Sequence, residues 1–185
     1  MASGLERLHA GIRRCTACPL GLSRDHAVPG VGPVPAPVMF IGEAPGREED
    51  KVGLPFVGRS GRFLDVLLAG IGRSRDEFFI TSMVKCRPPG NRLPRPCELE
   101  ACRDLWLMRQ VAVVRPRLIV CLGGVSARSL VGPVDLHKSH GTVIEKGRLR
   151  FFVTYHPAAG MRFPRVREAM VADFAVLGRV LASQG

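Results

Sequence analysis

Four short runs of apolar, mostly β-favouring residues recur along the chain, and a loop rich in glycine, proline or polar residues follows each. The runs are residues 38–41 (VMFI), 78–84 (FFITSMV), 118–122 (LIVCL) and 149–155 (LRFFVTY). Stretches between them carry apolar residues at helical spacing, as in residues 61–71 and 98–114. Strands that alternate with helices form a parallel sheet with helices on both faces. The sequence therefore predicts an α/β fold with a four-stranded parallel sheet.

The size and composition of the chain suit one folded domain spanning residues 1–185. It has 185 residues, of which 46% are apolar, enough to build a hydrophobic core. Further helices are expected over residues 4–14, 126–130 and 165–182. No apolar run approaches the roughly 20 residues that cross a bilayer, and the N-terminus lacks the apolar stretch of a secretory signal. We therefore expect a cytoplasmic protein without a membrane partner.

The chain is strongly basic, with a formal net charge of +11 to which arginine contributes far more than lysine. Such an excess is typical of proteins that bind a polyanion, most often a nucleic acid. A chain from an arginine-rich proteome would show the same excess without any such partner. Charge alone leaves these two interpretations open.

Six cysteines in a chain expected to be cytoplasmic favour a metal or cluster site over a disulfide scaffold. The candidate ligands are the C-x2-C pair Cys15 and Cys18, together with Cys86 and Cys102. Four thiolates suit either zinc or an iron–sulfur cluster, and the spacing does not choose between them. Cys97 is an alternative to Cys102 as the fourth ligand. Cys121 lies within an apolar strand and is expected to be a small buried hydrophobe.

The loop after the first strand concentrates carboxylates and ends at an isolated aromatic residue. Glu43, Glu48 and Glu49 fall within one turn-rich segment, where clustered carboxylates can position a water or stabilise a cation. A solvated acidic turn is the alternative, and we favour it for Glu48 and Asp50. Phe56 could stack on a planar base or equally fill the core. A strand end that opens into such a loop is where open α/β sheets place their binding sites.

His156 directly follows the fourth predicted strand, where contact with a ligand is expected. A histidine in this position can donate a hydrogen bond or carry a proton. A purely structural role is the equal alternative for a lone histidine. His137 and His140 lie in a polar loop, and we assign them no function.

Basic residues cluster in two of the loops that leave the predicted strands. The first group comprises Lys85, Arg87, Arg92 and Arg95, and the second Arg162, Arg165 and Arg167. Beside a site, such side chains would contact phosphates on either side of a target nucleotide, and the alternative is an ordinary solvated surface. Met161 and Phe163 lie among the second group and would suit a wedge that enters a base stack.

In combination, three segments resemble the family 4 uracil-DNA glycosylases. They are GEAPG at residues 42–46 with Glu49 and Phe56, KCRPPGNR at residues 85–92, and HPAA at residues 156–159. The similarity runs from about Cys15 to the last helix. It implies a three-layer α/β/α sandwich with a four-stranded parallel sheet. It also implies that the cofactor is a [4Fe-4S] cluster bound by Cys15, Cys18, Cys86 and Cys102.

The resemblance further implies which residues hydrolyse the N-glycosidic bond of uracil in DNA. Phe56 would stack on a uracil rotated out of the helix, and Glu43 and Ala44 would line its pocket. Glu49 would orient the attacking water or stabilise developing charge. His156 would donate a hydrogen bond to the uracil O2 as the base leaves as an anion. The residues expected to contact DNA are Lys85, Arg87, Arg92, Met161 and Arg162.

Ser82 departs from the pattern that the resemblance implies. The family usually has an asparagine there that binds the uracil edge, and a single hydroxyl cannot offer the same paired donor and acceptor. Selectivity could be weaker, or shifted to another deaminated base such as hypoxanthine or xanthine. A non-catalytic iron–sulfur protein that binds DNA is the further alternative. We expect a monomeric enzyme that acts on uracil in single- and double-stranded DNA.

Overall fold

The computed structural model of the protein describes residues 4–183, so the two ends of the domain predicted over residues 1–185 lie outside the described residues. Within this range the strands form one five-stranded sheet. Their bounds are Val38–Gly42 (β1), Phe79–Ser82 (β2), Leu118–Leu122 (β3), Thr142–Lys146 (β4) and Leu149–Thr154 (β5).

The strand order is β2-β1-β3-β5-β4. The first four strands in this order are mutually parallel, as predicted, and β4 pairs antiparallel with β5. The prediction of four strands therefore misses β4. This strand lies at the sheet edge, is largely exposed and has a polar sequence, so no apolar run marks it. The tight connection to β5 passes through Gly147, whose φ of 62° favours glycine.

Helices connect the strands. Their bounds are Gly4–Arg13 (α1), Leu20–Ser23 (α2), Arg47–Val52 (α3), Arg59–Ala69 (α4), Pro96–Cys102 (α5), Met108–Val114 (α6), Gly124–Leu130 (α7), Leu136–Ser139 (α8), Pro157–Arg162 (α9) and Pro164–Ala182 (α10). Two short 3₁₀ turns lie at Arg75–Glu77 and Pro89–Asn91. The single helix predicted over residues 98–114 is interrupted by a π-helical segment, Arg103–Leu107, directly after Cys102.

The sheet has a hydrophobic core on each face, because alternate residues of a strand point in opposite directions. Phe40 and Val120 pack on the face covered by α4 and α10. Met39 and Ile119 pack on the opposite face with residues of α6. The fold is therefore the expected three-layer α/β/α sandwich. Among the described residues, no helix has the length and apolar character needed to cross a membrane.

The carboxyl ends of β1, β2 and β5 lie at the same edge of the sheet. Gly42, the last residue of β1, is in register with Ser82, the last residue of β2. Residues 43–58, 83–95 and 155–163 leave the sheet from this edge. In open α/β sheets this edge is the usual place for a binding site.

Candidate active site

A pocket opens at this edge, where the segments after β1, β2 and β5 meet. Seven of the residues predicted to form a site line it, namely Glu43, Ala44, Glu49, Phe56, Ser82, Arg92 and His156. The cavity volume is about 250 Å³, below the roughly 300–1,000 Å³ of sites for drug-sized ligands. The pocket therefore suits one small ring.

Phe56 forms one wall of the pocket in a backbone conformation that is rare for a residue with a side chain, with φ at 53°. The residue is 6% exposed and belongs to the core beneath α4 and α10. Gly42 lies against the ring, since a Cβ there would come within 2.7 Å of Cζ. The ring centroid lies 5.9 Å from that of His156. Phe56 thus fills the core and faces the pocket at once, so the two interpretations of its role are compatible.

Glu49 holds the loop after β1 in shape. Its Oε2 accepts the N–H of Gly46 at 3.1 Å, and its Oε1 accepts the N–H of Gly58 at 2.8 Å. The side chain is buried and lines the pocket. These bonds fix both ends of the segment that contains Phe56. A carboxylate accepts about four hydrogen bonds, so Glu49 retains the capacity to bind a water.

Asp50 is buried, and its prediction as part of a solvated acidic turn is wrong. The residue is 3% exposed, and Oδ1 accepts the N–H groups of Asp25 and His26 at 3.1 and 3.4 Å. Glu48 is exposed as predicted, with an ion pair to Lys51 at 3.6 Å. The difference arises because this segment is helix α3, which turns Asp50 inward and Glu48 outward.

Glu43 directly follows β1 and lines the pocket. Burial raises the pKa of its carboxyl group, and the guanidinium of Arg128 on α7 opposes that shift. A carboxylate at this place can accept a hydrogen bond from a water in the pocket and so position it.

His156 is the N-cap of α9, and this fixes the orientation of its ring. Nδ1 accepts the backbone N–H of Ala158 at 3.2 Å. Because Nδ1 accepts, the neutral ring carries its proton on Nε2. Burial lowers the pKa of His156 to about 4, although the charge of Glu49 acts in the opposite direction. Near neutral pH the pocket wall therefore includes an uncharged imidazole that donates through Nε2.

Ser82 lines the same pocket at the end of β2 and is 3% exposed. Its Oγ lies 3.4 Å from the position that a Cβ on Gly42 would occupy, close to the ring of Phe56. The pocket therefore presents a short hydroxyl at the end of β2, which lacks the paired donor and acceptor of an amide.

Lys85 does not face solvent, and the prediction that it contacts DNA is wrong. The residue is 1% exposed, and Nζ donates to Thr81 Oγ1 and to the Ser82 carbonyl, both at 2.7 Å. The side chain turns inward and caps the end of β2. Arg92 is also engaged within the protein, since its guanidinium donates to both oxygens of the buried Glu98, at 2.9 and 2.7 Å.

The other residues predicted to contact DNA lie nearer the surface. Arg87 donates through Nε to Asn91 Oδ1 at 2.7 Å, and Asn91 lines the pocket. Met161 is half-buried against the core. Phe163 is 49% exposed, with the Arg162 guanidinium 5.2 Å from its ring centroid. Of the two apolar wedge candidates, Phe163 is the more exposed.

A second cavity lies beside α1, α2 and α5. The four predicted ligand residues Cys15, Cys18, Cys86 and Cys102 all line it. None of the cysteines within residues 4–183 forms a disulfide. Cys97 is exposed and is not among the lining residues, whereas Cys121 is buried in the core beside α6.

The surroundings of these sulfur atoms fit a group bound by thiolates. Arg24 Nη1 donates to Cys86 Sγ at 3.0 Å, and Trp106 Nε1 donates to Cys15 Sγ at 3.1 Å. Hydrogen bonds to sulfur are a feature of cluster ligands. Within the described residues, no grouping of histidine, cysteine or carboxylate side chains is arranged to hold a single metal ion. A cluster binds each thiolate through a different iron, so its ligands stand further apart than those of one ion.

Arg24 and Trp106 are absent from the sequence-based prediction of this cavity. They lie 62 and 91 residues away from the cysteines to which they donate. No local pattern connects residues so distant in sequence, and only the fold brings them together.

Comparisons with known proteins place the chain in a family. The model of the uracil DNA glycosylase superfamily matches residues 29–175. A type-4 uracil-DNA glycosylase from Archaeoglobus fulgidus is 42% identical in an alignment that covers 95% of this chain and 92% of that protein. A type-4 uracil-DNA glycosylase from Pyrobaculum aerophilum is 40% identical, covering 93% and 92% of the two chains.

The fold is similar to that of a solved structure at low sequence identity. The crystal structure of wild-type SMUG2 from Pedobacter heparinus matches with a TM-score of 0.53 and 14% identity, covering 81% of this chain and 77% of that one. This likeness concerns the fold, whereas the family follows from the sequence matches. The chain belongs to the uracil-DNA glycosylase superfamily.

Proposed function

We propose that the protein hydrolyses the N-glycosidic bond of uracil in DNA and leaves an abasic site. The observation that carries the proposal is that Glu43, Phe56 and His156 line one pocket of single-ring size. The names of the type-4 relatives support uracil as the base. We also propose that the protein acts as a monomer.

The target nucleotide has to leave the duplex before its base can enter the pocket. Unstacking and unpairing cost a few kcal/mol, and the cost is smaller for a mispaired base. In the pocket the uracil ring would stack on Phe56, whose position is fixed by Gly42 and the core. Arg87 and Arg162 would contact the flanking phosphates, and Phe163 would fill the gap in the stack.

The chemistry separates charge, and the pocket offers a group for each part. As the C1′–N1 bond breaks, the electron pair stays with the base, which becomes an anion, while the sugar becomes cationic. The Nε2–H of His156 would donate to the uracil O2 and stabilise that anion. A water held by Glu43 would add its oxygen to C1′ and give a proton to the Glu43 carboxylate, while the released uracil anion would take up a proton from solvent. Glu49 would act mainly through the loop that it holds in place.

We further propose that Cys15, Cys18, Cys86 and Cys102 hold a [4Fe-4S] cluster. The shared cavity and the N–H donors to two of the sulfurs support this. When bound, the cluster would supply a rigid crosslink. These cysteines lie in the N-terminal segment, in the loop after β2 and at the end of α5. That loop also provides pocket-lining residues, so the crosslink would steady one wall of the active site.

The direct test is incubation with oligonucleotides that carry one uracil, single-stranded and duplex, followed by alkali to cleave abasic sites. We expect cleavage at the uracil position in both substrates. Intact oligonucleotides with an iron-loaded protein that still binds DNA would instead identify a non-catalytic DNA-binding protein.

Base selectivity depends on Ser82 in this proposal, and exchanging it for asparagine tests the dependence. An amide adds a donor and an acceptor toward the uracil edge, so Ser82→Asn should raise the preference for uracil over hypoxanthine and xanthine. One added hydrogen bond corresponds to about tenfold. The measurement is kcat/KM for each base in the same sequence context. Equal ratios for both proteins would show that position 82 does not bind the base.

The pH dependence should reflect a neutral His156. Since its pKa is about 4, we expect no loss of rate from about pH 6 to pH 8, where an ordinary imidazolium would lose its proton. Burial raises the pKa of Glu43, so the rate should fall on the acid side as this carboxylate protonates. A fall in the rate with a midpoint near pH 6.5 on raising the pH would contradict the neutral donor.

The free energy of unfolding should also depend on pH through His156. The unfolded chain binds a proton on His156 below about pH 6.5, whereas the folded protein does so only near pH 4. The unfolded state therefore binds more protons in this window, and His156 lowers stability as the pH falls through it. His156→Gln should therefore make the unfolding free energy less dependent on pH between about pH 4 and pH 6.5.

A further inference from the structure

The ring that forms the pocket wall is attached to a backbone that needs outside support. Phe56 has a φ of 53°, a region that non-glycine residues seldom adopt. Its carbonyl points toward the first turn of α4, where Gly61 has no side chain. A Cβ on Gly61 would lie 1.7 Å from this oxygen. The carbonyl is therefore pressed against the helix and requires a donor that can reach it there.

Arg75 supplies that donor. Its Nη1 and Nη2 both donate to the Phe56 carbonyl at 3.1 Å, and Nη2 also donates to the Gly61 carbonyl at 3.2 Å. Nε is fixed in turn by Asp65 Oδ1 at 2.6 Å. Arg75 lies in a 3₁₀ turn beyond α4 and is not among the residues that line the pocket. A residue outside the pocket thus holds the backbone of one of its walls.

We propose that Arg75 is a positioning residue that presets the Phe56 ring to receive the extruded base. This inference rests on the proposed function and identifies what prepares its base-binding surface. A ring that is already placed loses little freedom when the base stacks on it, so binding and alignment are more favourable. The guanidinium suits the task because its planar fork can donate to two carbonyls and a carboxylate at once.

A purely structural Arg75–Asp65 ion pair is the competing explanation, and partly exposed pairs contribute little. That explanation accounts for the bond to Asp65. It does not account for the bonds that converge on the carbonyls of Phe56 and Gly61. The two explanations differ in whether the effect of Arg75 on activity passes through the Phe56 ring.

A double-mutant cycle distinguishes them. Arg75→Ala, Phe56→Ala and the double variant are compared by kcat and KM on a single-stranded uracil oligonucleotide, with thermal unfolding measured in parallel. We expect Arg75→Ala to lower kcat/KM by about 10- to 100-fold, the effect of a misplaced binding group. In the Phe56→Ala background the same change should have almost no further effect. Equal losses in both backgrounds would overturn the proposal.

Matched variants complete the test. Arg73→Ala removes a surface pair with Glu77, in the same turn as Arg75, at 2.9 Å and should leave kcat/KM unchanged. If Arg75→Ala does not fold, Arg75→Lys replaces it, because a lysine reaches one partner but not all three. If the wild-type protein releases uracil and an Arg75 variant is fully active, the positioning role of Arg75 is refuted but the proposed function is not. If the wild-type protein does not release uracil, both the proposed function and the positioning role of Arg75 are refuted.

Discussion

Replacing His156 with alanine should lower the rate of uracil release by about 10²- to 10³-fold, the usual effect of removing one donor to a developing anion. The reason lies in the geometry of the ring. Nδ1 is occupied by the N–H of Ala158, which leaves the Nε2–H as the remaining donor of a ring that lines the pocket. DNA affinity should change little, because His156 acts on charge that appears only as the bond breaks. Single-turnover rates and fluorescence anisotropy with a labelled oligonucleotide measure the two quantities separately.

Alanine also removes the N-cap of α9, and this effect has to be separated from catalysis. Asparagine is among the best N-cap residues, so His156→Asn should keep the helix start while withdrawing the imidazole. We expect His156→Asn to unfold close to the wild-type temperature and to release uracil as slowly as His156→Ala. His137→Ala is the matched control, since this histidine contacts the Tyr155 hydroxyl at 3.1 Å and is not among the pocket-lining residues. Full turnover in His156→Ala would refute the anion-stabilising role.

The parts of the fold that the sequence predicts well are those with strong local patterns. Each of β1, β2, β3 and β5 is an apolar run next to glycine, proline or polar residues, and burial on both faces leaves that pattern in a parallel strand. The positions of Glu43 and His156 followed because both come directly after such a strand. Their meeting in one pocket follows from the shared direction of the strands.

The errors concern polar residues that the fold turns inward. Asp50 and Lys85 look like solvated charges in the sequence, yet each is buried and bonded to the main chain or to a neighbouring side chain. Their partners lie on other segments or at a strand end, and no spacing rule reveals them. Strand β4 was missed for a related reason, because an exposed edge strand needs no apolar face. The contact of Arg75 could not be predicted either, because it donates to the backbone carbonyl of Phe56, which no side-chain pattern marks.

Replacing Cys102 with serine should remove the iron and lower the unfolding temperature by about 10 °C or more. The unfolding free energy is expected to fall by several kcal/mol, and for a domain of this size such a fall corresponds to a shift of about 10 °C or more. Cys102 is buried and lines the cavity with the other three predicted ligands. Iron and acid-labile sulfide content, visible absorption and thermal unfolding of protein purified without oxygen provide the readouts.

Cys97→Ser is the matched control, because Cys97 lies in the same helix, α5, but is exposed and outside the cavity. It should retain iron and wild-type stability. Loss of iron from Cys97→Ser with retention in Cys102→Ser would reverse the ligand assignment, and zinc in place of iron in the wild-type protein would refute the cluster itself.

Cys102→Ser and His156→Ala should affect the kinetics of uracil release in different ways. The cysteines do not line the base pocket, but Pro88 and Arg92 do, and they belong to the same loop after β2 as Cys86. Loss of the crosslink should therefore loosen one wall and raise KM for DNA, while the kcat of the remaining folded enzyme falls much less than in His156→Ala. Cys102→Ser with an unchanged KM and only lower stability would show that the cluster supports the fold but does not shape the pocket. A kcat as low as that of His156→Ala would show that the cluster and the chemistry are more tightly coupled than the separation of the two cavities implies.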